Sequence, residues 1–233
     1  MNLSRSTARH WVSASLVAVL SGGAAHAQQQ PQPQGGLAGL YAEQPPAGSA
    51  FVRVLNTGAV VQLTWAGGEA VNVPLAGNLA TPYRVVNPAH PPTVLVNGKE
   101  VKPAQLPTPG SYMTWELRPA GDGMNVTLDE LAPANALKVA LRLTNVIPDC
   151  SLTLKTAEGV VVFSGVLALQ SKARNINPVR ATLVAHCGPV VSAPLSLPTL
   201  RAGDRFSVFA HGSAQAPRLS GQMDTTEVYS GKP

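Results

Sequence analysis

The chain has 233 residues, 17 Lys and Arg against 12 Asp and Glu for a formal net charge of +5, and two cysteines. Charged residues make up only 12% and form no dense basic cluster, so the concentrated phosphate neutralisation that nucleic-acid binding needs is missing and no nucleic-acid partner is expected. At the N-terminus Arg5 and Arg9 precede an apolar run from Trp11 to Leu20, followed by Ala25-His26-Ala27. A basic region, a short apolar region and a small-x-small site in that order predict a secretory signal peptide over residues 1–27, cleaved near Ala27. The apolar run is about half the length a bilayer span requires, so export to the periplasm is expected rather than anchoring. Loss of Arg5 and Arg9 lowers the net charge by two, to +3.

Gln28–Gly36 is polar, carries Pro and Gly and has nothing to bury; it opens a flexible tether expected over residues 28–48. Short β-rich runs follow: Phe51–Leu55, Val60–Trp65, Val71–Leu75, Tyr83–Val86, Thr93–Val96, Ser111–Leu117 and Met124–Leu128. Turn residues such as Asn-Gly, Asn-Pro and Gly-Asp-Gly separate them, the pattern of an antiparallel sandwich. After the irregular Leu131–Asn135 stretch comes a second series: Leu137–Leu143, Ser151–Thr156, Val160–Phe163, Val166–Leu169, Ala181–Ala185, Val190–Val191 and Phe206–Ala210. The predicted fold is all-β, two tandem antiparallel β-sandwich domains at 49–130 and 135–230. The two series also resemble each other. Val52-Arg53-Val54-Leu55-Asn56 matches Leu141-Arg142-Leu143-Thr144-Asn145, and in each half an alternating strand and a Gly-containing hairpin turn follow. An internal duplication is the economical reading.

The residues for chemistry do not assemble into a known catalytic pattern. After the leader only His90, His186 and His211 remain, and each has an ordinary place: a proline-locked loop, a strand end beside Cys187, and a turn before Gly212. No Gly-x-Ser-x-Gly elbow is present; Gly48-Ser49 and Gly212-Ser213 read as turns. Asp129 and Glu130 are adjacent, would point to opposite faces of a strand, and are expected in a solvated loop. Cys150, Cys187, His186 and His211 lack the paired spacings that gather metal ligands. An even cysteine count in an oxidising compartment reads first as a Cys150–Cys187 disulfide, worth about 4 kcal/mol for a loop of that length, with two buried thiols as the alternative. Neither a cofactor nor a metal nor a catalytic residue is expected. Trp65, Trp115 and Tyr112 could stack on sugar rings, although core aromatics on alternating strands are the plainer reading.

Lys172, Arg174, Asn175, Asn177, Pro178 and Arg180 stand apart, with three cations around an Asn-Pro turn. They are read either as a solvated connection whose charges protect a sheet edge, or as a docking surface for a protein partner or an acidic polymer.

Two stretches carry a family resemblance. Leu40-Tyr41 with Pro45–Asn56, and Ala173–Ala181, resemble the recognisable stretches of the AlgF family, and Leu141–Asn145 and Leu154–Gly159 fall between them in the expected order. The resemblance implies a periplasmic accessory protein of exopolysaccharide O-acetylation without catalytic residues. It implies as partners a membrane-bound O-acyltransferase and periplasmic SGNH-type acetyltransferases. The cysteine pair and the longer Pro88–Pro92 region depart from the family pattern and leave the polymer open between alginate and a cellulose-type chain. A carbohydrate-binding module that holds the exopolysaccharide is the alternative function.

Overall fold

The computed structural model describes residues 43–65, 68–75 and 77–229. The expected signal peptide and residues 28–42 of the expected tether lie outside the described residues.

Alternation and turn chemistry produce seventeen strands and no helix among the described residues. The first half holds β1 (Ala50–Leu55), β2 (Val61–Trp65), β3 (Ala70–Val73), β4 (Arg84–Val86), β5 (Val94–Val96), β6 (Lys99–Val101), β7 (Tyr112–Leu117) and β8 (Met124–Leu128). The second holds β9 (Val139–Asn145), β10 (Leu152–Thr156), β11 (Val161–Val166), β12 (Gln170–Ile176), β13 (Thr182–Cys187), β14 (Val190–Val191), β15 (Leu195–Ser196), β16 (Arg205–Ser213) and β17 (Ala216–Met223). The β5–β6 hairpin shows how sequence sets a turn. Asn97 and Gly98 both take positive φ, 50° and 79°, which an Asn-Gly pair adopts at low cost and which matches the twist of the flanking strands.

Each half is a sandwich of two sheets, and the two halves share one topology. In the first the orders are β4-β1-β7-β8 and β3-β2-β5-β6; in the second they are β12-β9-β16-β17 and β11-β10-β13-β14, with β15 added beside β13. The sheets are antiparallel except for one parallel pair in each half, β1 with β7 and β9 with β16. Register carries the likeness to single residues: Val52 lies opposite Met113 and Arg84, and Leu141 opposite Phe206 and Arg174. Asn56 and Asn145 even make the same bonds. Asn56 Nδ2 donates to Ala59 O and Val73 O while its Oδ1 accepts from Gly58 N. Asn145 Nδ2 donates to Cys150 O and Val166 O while its Oδ1 accepts from Ile147 N. Each asparagine pins the turn that leaves the first strand of its half to the far end of a hairpin.

Each sandwich has its own core, one around Val52, Val54, Leu63 and Trp115, the other around Leu141, Leu143, Leu152 and Val208. The Cys150–Cys187 disulfide lies in the second core, with Cα atoms 5.4 Å apart. A third small cluster, Leu55, Ala80, Val146 and Phe209, lies where the β1 sheet of one half meets the β9 sheet of the other.

Several segments differ from the sequence reading. Val166–Leu169 is not a strand; β11 ends at Val166 and Leu169 turns with a positive φ of 60°. The stretch Lys172–Arg180, read as a solvated connection or a docking surface, is strand as far as Ile176: Gln170–Ile176 form β12, whose alternation is masked by Lys172 and Arg174 reaching to β11. Residues 216–223 form β17, an edge strand where Pro217 and Gly221 break no central ladder. Gly212-Ser213 and His211 belong to β16 rather than to a turn.

Candidate functional site

The polar groups that converge most closely lie between the halves. Arg53 on β1 and Arg142 on β9 occupy corresponding positions and point away from their own cores. Arg53 donates from Nε to Thr114 Oγ1 (2.8 Å), from Nη1 to Asp224 Oδ1 (2.7 Å) and from Nη2 to Ser207 Oγ (3.2 Å). Arg142 Nη1 donates to Asp224 Oδ2 at 3.1 Å and to the Tyr83 hydroxyl. Tyr83 and Thr114 both donate to Asp129 Oδ2 at 2.7 Å, and Arg53 lies 3.8 Å from the same oxygen. Rings complete the cage: the Arg53 guanidinium sits 4.5 Å from the Tyr83 centroid and 4.8 Å from that of Phe209.

Asp129 and Asp224 follow β8 and β17, so each half contributes one arginine and one aspartate to a single buried network. Burial works against the Arg53 charge, but Tyr83, Asp129 and Asp224 outweigh it and hold the guanidinium above its ordinary value. Burial likewise pushes the Tyr83 hydroxyl well above the usual tyrosine value, with Arg53 and Arg142 opposing. These charges join the two halves. The sequence reading of Asp129 as a solvated residue is thereby corrected: it is 4% exposed. In the sequence Arg53 and Arg142 stand out only as a repeat signature. The signal was available, because an arginine inside an otherwise apolar strand needs a counter-ion when both faces are covered.

Two segments cross between the halves in corresponding ways. Residues after β17 run along β4: Tyr83 N donates to Thr225 O, Glu227 N donates to Tyr83 O, and Arg84 Nε pairs with Glu227 Oε2 at 2.7 Å. Residues after β8 run along β12: Glu130 N donates to Ser171 Oγ, Ala173 N to Glu130 Oε1, and Asn175 Nδ2 to Pro133 O.

The six residues singled out from the sequence divide along this flank. Lys172 Nζ donates to Ser164 O and Arg174 Nη1 to Val162 O, both at 3.0 Å, so these two cations cover the open edge of β11. Asn175 faces the crossing segment, and Asn177 accepts from Lys138. Pro178 and Arg180 are exposed in the connection to β13. Among the described residues no carboxylate pairs with Lys172, Arg174 or Arg180.

Other candidates lie far from one another along the chain. His211 Nε2 meets Ser220 Oγ at 3.0 Å, and burial and Arg218 push its pKa down. It lines a groove of about 560 Å³ at the junction together with Glu116, whose carboxyl burial raises against a hydrogen bond from Asn125. His90 borders a separate pocket of about 480 Å³ with Arg84 and Tyr229. His186 stands on β13. Trp65 and Trp115 are 2% and 0% exposed with ring centroids 6.0 Å apart, and Tyr112 stacks on Phe51, so neither tryptophan presents a face to a sugar. Among the described residues no helix is long and apolar enough to cross a membrane.

This fold and junction define a duplicated β-sandwich protein in which two halves are locked together by exchanged segments and a shared ionic core. The chain belongs to the AlgF family: the model described as "Alginate O-acetyl transferase AlgF" matches residues 18–206. It is 30% identical over 177 residues to the alginate biosynthesis protein AlgF of Pseudomonas aeruginosa, covering 75% of this chain and 78% of that protein. To the protein of the same name from Pseudomonas putida it is 29% identical over 180 residues, covering 77% and 80%. A solved structure of the C-terminal domain of AlgF from P. aeruginosa matches 37% of this chain and 98% of its own length, at 28% identity and a TM-score of 0.32.

Proposed function

We propose that this AlgF-family protein is a non-catalytic periplasmic adaptor in exopolysaccharide O-acetylation, linking a membrane-bound O-acyltransferase to SGNH-type acetyltransferases. The relatives bear the name of alginate biosynthesis, which supports an acidic exopolysaccharide as the polymer of the pathway. The observation that carries the adaptor reading is the basic flank at β12 and after it, where Lys172, Arg174 and Arg180 have no carboxylate partner in the described chain. Arg53, Arg84 and Arg142 are engaged in joining the halves, whereas a surface that keeps uncompensated cations suits a protein partner of opposite charge.

The test is co-purification. Tagged mature protein drawn from detergent-solubilised envelope should bring a membrane O-acyltransferase or an SGNH-type acetyltransferase with it. Arg174→Ala with Arg180→Ala should fold normally yet lower both capture and polymer acetylation. Recovery of polysaccharide without either protein would refute the adaptor role.

A further inference from the structure

Register places the halves in correspondence strand by strand, and at one spot their side chains differ in kind. On the junction face of the first half Phe51 stacks on Tyr112 with centroids 4.3 Å apart, and Tyr83 meets Tyr112 edge-on at 5.3 Å. Phe51 lies opposite Tyr112 in the parallel pair, as Ala140 lies opposite Arg205 in the second half. Tyr83 immediately precedes Arg84, whose counterpart is Arg174, preceded by Ala173. Where the first half holds three aromatic rings, the second therefore holds two methyl groups and one guanidinium.

The space is not filled by other side chains. A pocket of about 260 Å³ opens there, bordered by Ala140, Ala173, Arg205, Lys138 and Asn175 beneath the segment that crosses from β8; the Asp204 and Asp224 carboxylates at its wall already accept from Arg201 N and from Arg53 and Arg142. Asn175 Nδ2 is held by Pro133 O, but its Oδ1 is buried without a hydrogen-bond partner. Among the described residues neither Arg205 nor Lys138 has a carboxylate partner.

We propose that this pocket receives an aromatic side chain of a protein partner, a tyrosine with an acidic residue beside it. The proposal rests on the adaptor reading for the nature of the partner. The ring takes the place that aromatic side chains fill in the first half, its hydroxyl donates to Asn175 Oδ1, and the neighbouring carboxylate meets Arg205 or Lys138. The volume is adequate, since a cavity of about 150 Å³ already admits benzene. A ring buried in such a pocket beside an arginine is the kind of anchor that dominates interface energetics.

The test uses the mature chain labelled at alanine methyl groups and titrated with p-cresol. The methyl resonances of Ala140 and Ala173 should shift saturably. Ala173→Tyr, which fills the pocket from within as Tyr83 fills its counterpart, should abolish the Ala140 shift and lower capture of the acetylation subunits at least tenfold. Should that variant fail to fold, Ala140→Phe narrows the same space from the neighbouring strand. Methyl resonances unmoved at millimolar p-cresol would overturn the proposal. So would a folded Ala173→Tyr chain that captures its partners as well as the unaltered protein. Methyl shifts in a chain that captures no subunit would uphold the ring site and overturn the adaptor reading instead.

Discussion

Arg84 and Arg174 hold the same position in the two halves, yet Arg84 is paired with Glu227 and lies 5.1 Å from the Trp65 ring, whereas Arg174 has only a carbonyl, that of Val162. The duplicated frame has diverged in what its surface charges meet.

The partly exposed Arg84–Glu227 pair should matter little to stability. Glu227→Gln should cost under about 1 kcal/mol, as exposed ion pairs do. Asp224→Asn removes the carboxylate shared by two buried arginines and should cost about 3–5 kcal/mol. Urea midpoints of the two variants, measured side by side, check the contrast.

Asn56→Ala and Asn145→Ala should destabilise by similar amounts, on the order of 1–3 kcal/mol each, because each leaves two carbonyls and an amide without their partners. Calorimetric melting of both variants would reveal whether the two clamps are equal; a cost confined to one half would show that their common geometry does not carry common weight.

Reducing the Cys150–Cys187 bond, or replacing both cysteines by serine, should lower stability by about 2–4 kcal/mol, given a loop of 37 residues. The melting temperature with and without reductant is the measurement, with the double serine variant as the control that reductant should not affect.

Glu116 gives the fold a specific pH response. Its carboxyl titrates higher in the folded chain than in the unfolded one, so the unfolded state loses its proton first. Stability therefore falls as pH rises from the ordinary carboxylate range, about 4.3, through the raised folded value. Arg118 and Arg218 line the same groove as fixed cations, and His211 beside them carries a pKa that burial pushes down, so Glu116→Gln is needed to isolate the effect. In that variant the fall should disappear, which denaturant midpoints across pH 4–8 would register.

Tyr83 should ionise only at unusually high pH. Because its folded value is raised, stability is lost as pH climbs past about 10, where the unfolded phenol gives up its proton. An absorbance titration of phenolate should show one late step that coincides with unfolding and is missing in Tyr83→Phe.

Strands with two-residue alternation and turn punctuation were legible in the sequence; β1, β7, β8 and the first strand of the second half stand within two residues of their expected bounds. The edge strands β12 and β17 were not. β12 carries Lys172 and Arg174 where apolar residues would mark a strand, and β17 carries a proline and a glycine that only an edge tolerates. The repeat was visible because Arg53 and Asn56 recur as Arg142 and Asn145. What those residues do was hidden, since Asp129, Asp224 and Tyr83 lie far from them along the chain and come together only when the two sheets face each other. The disulfide followed from cysteine count and compartment, and the structure contains it.

The exchanged segments also make the molecule an instrument for studying itself. Asp129 and Asp224 begin the two crossings, so Ala132 stands as many residues beyond its aspartate as Glu227 stands beyond its own. Grafting the acid across, as Ala132→Glu, would offer Arg174 the mate that Arg84 already has. A single substitution thus gives the cation of one half the kind of carboxylate that its counterpart holds, with every other feature of the chain kept as reference.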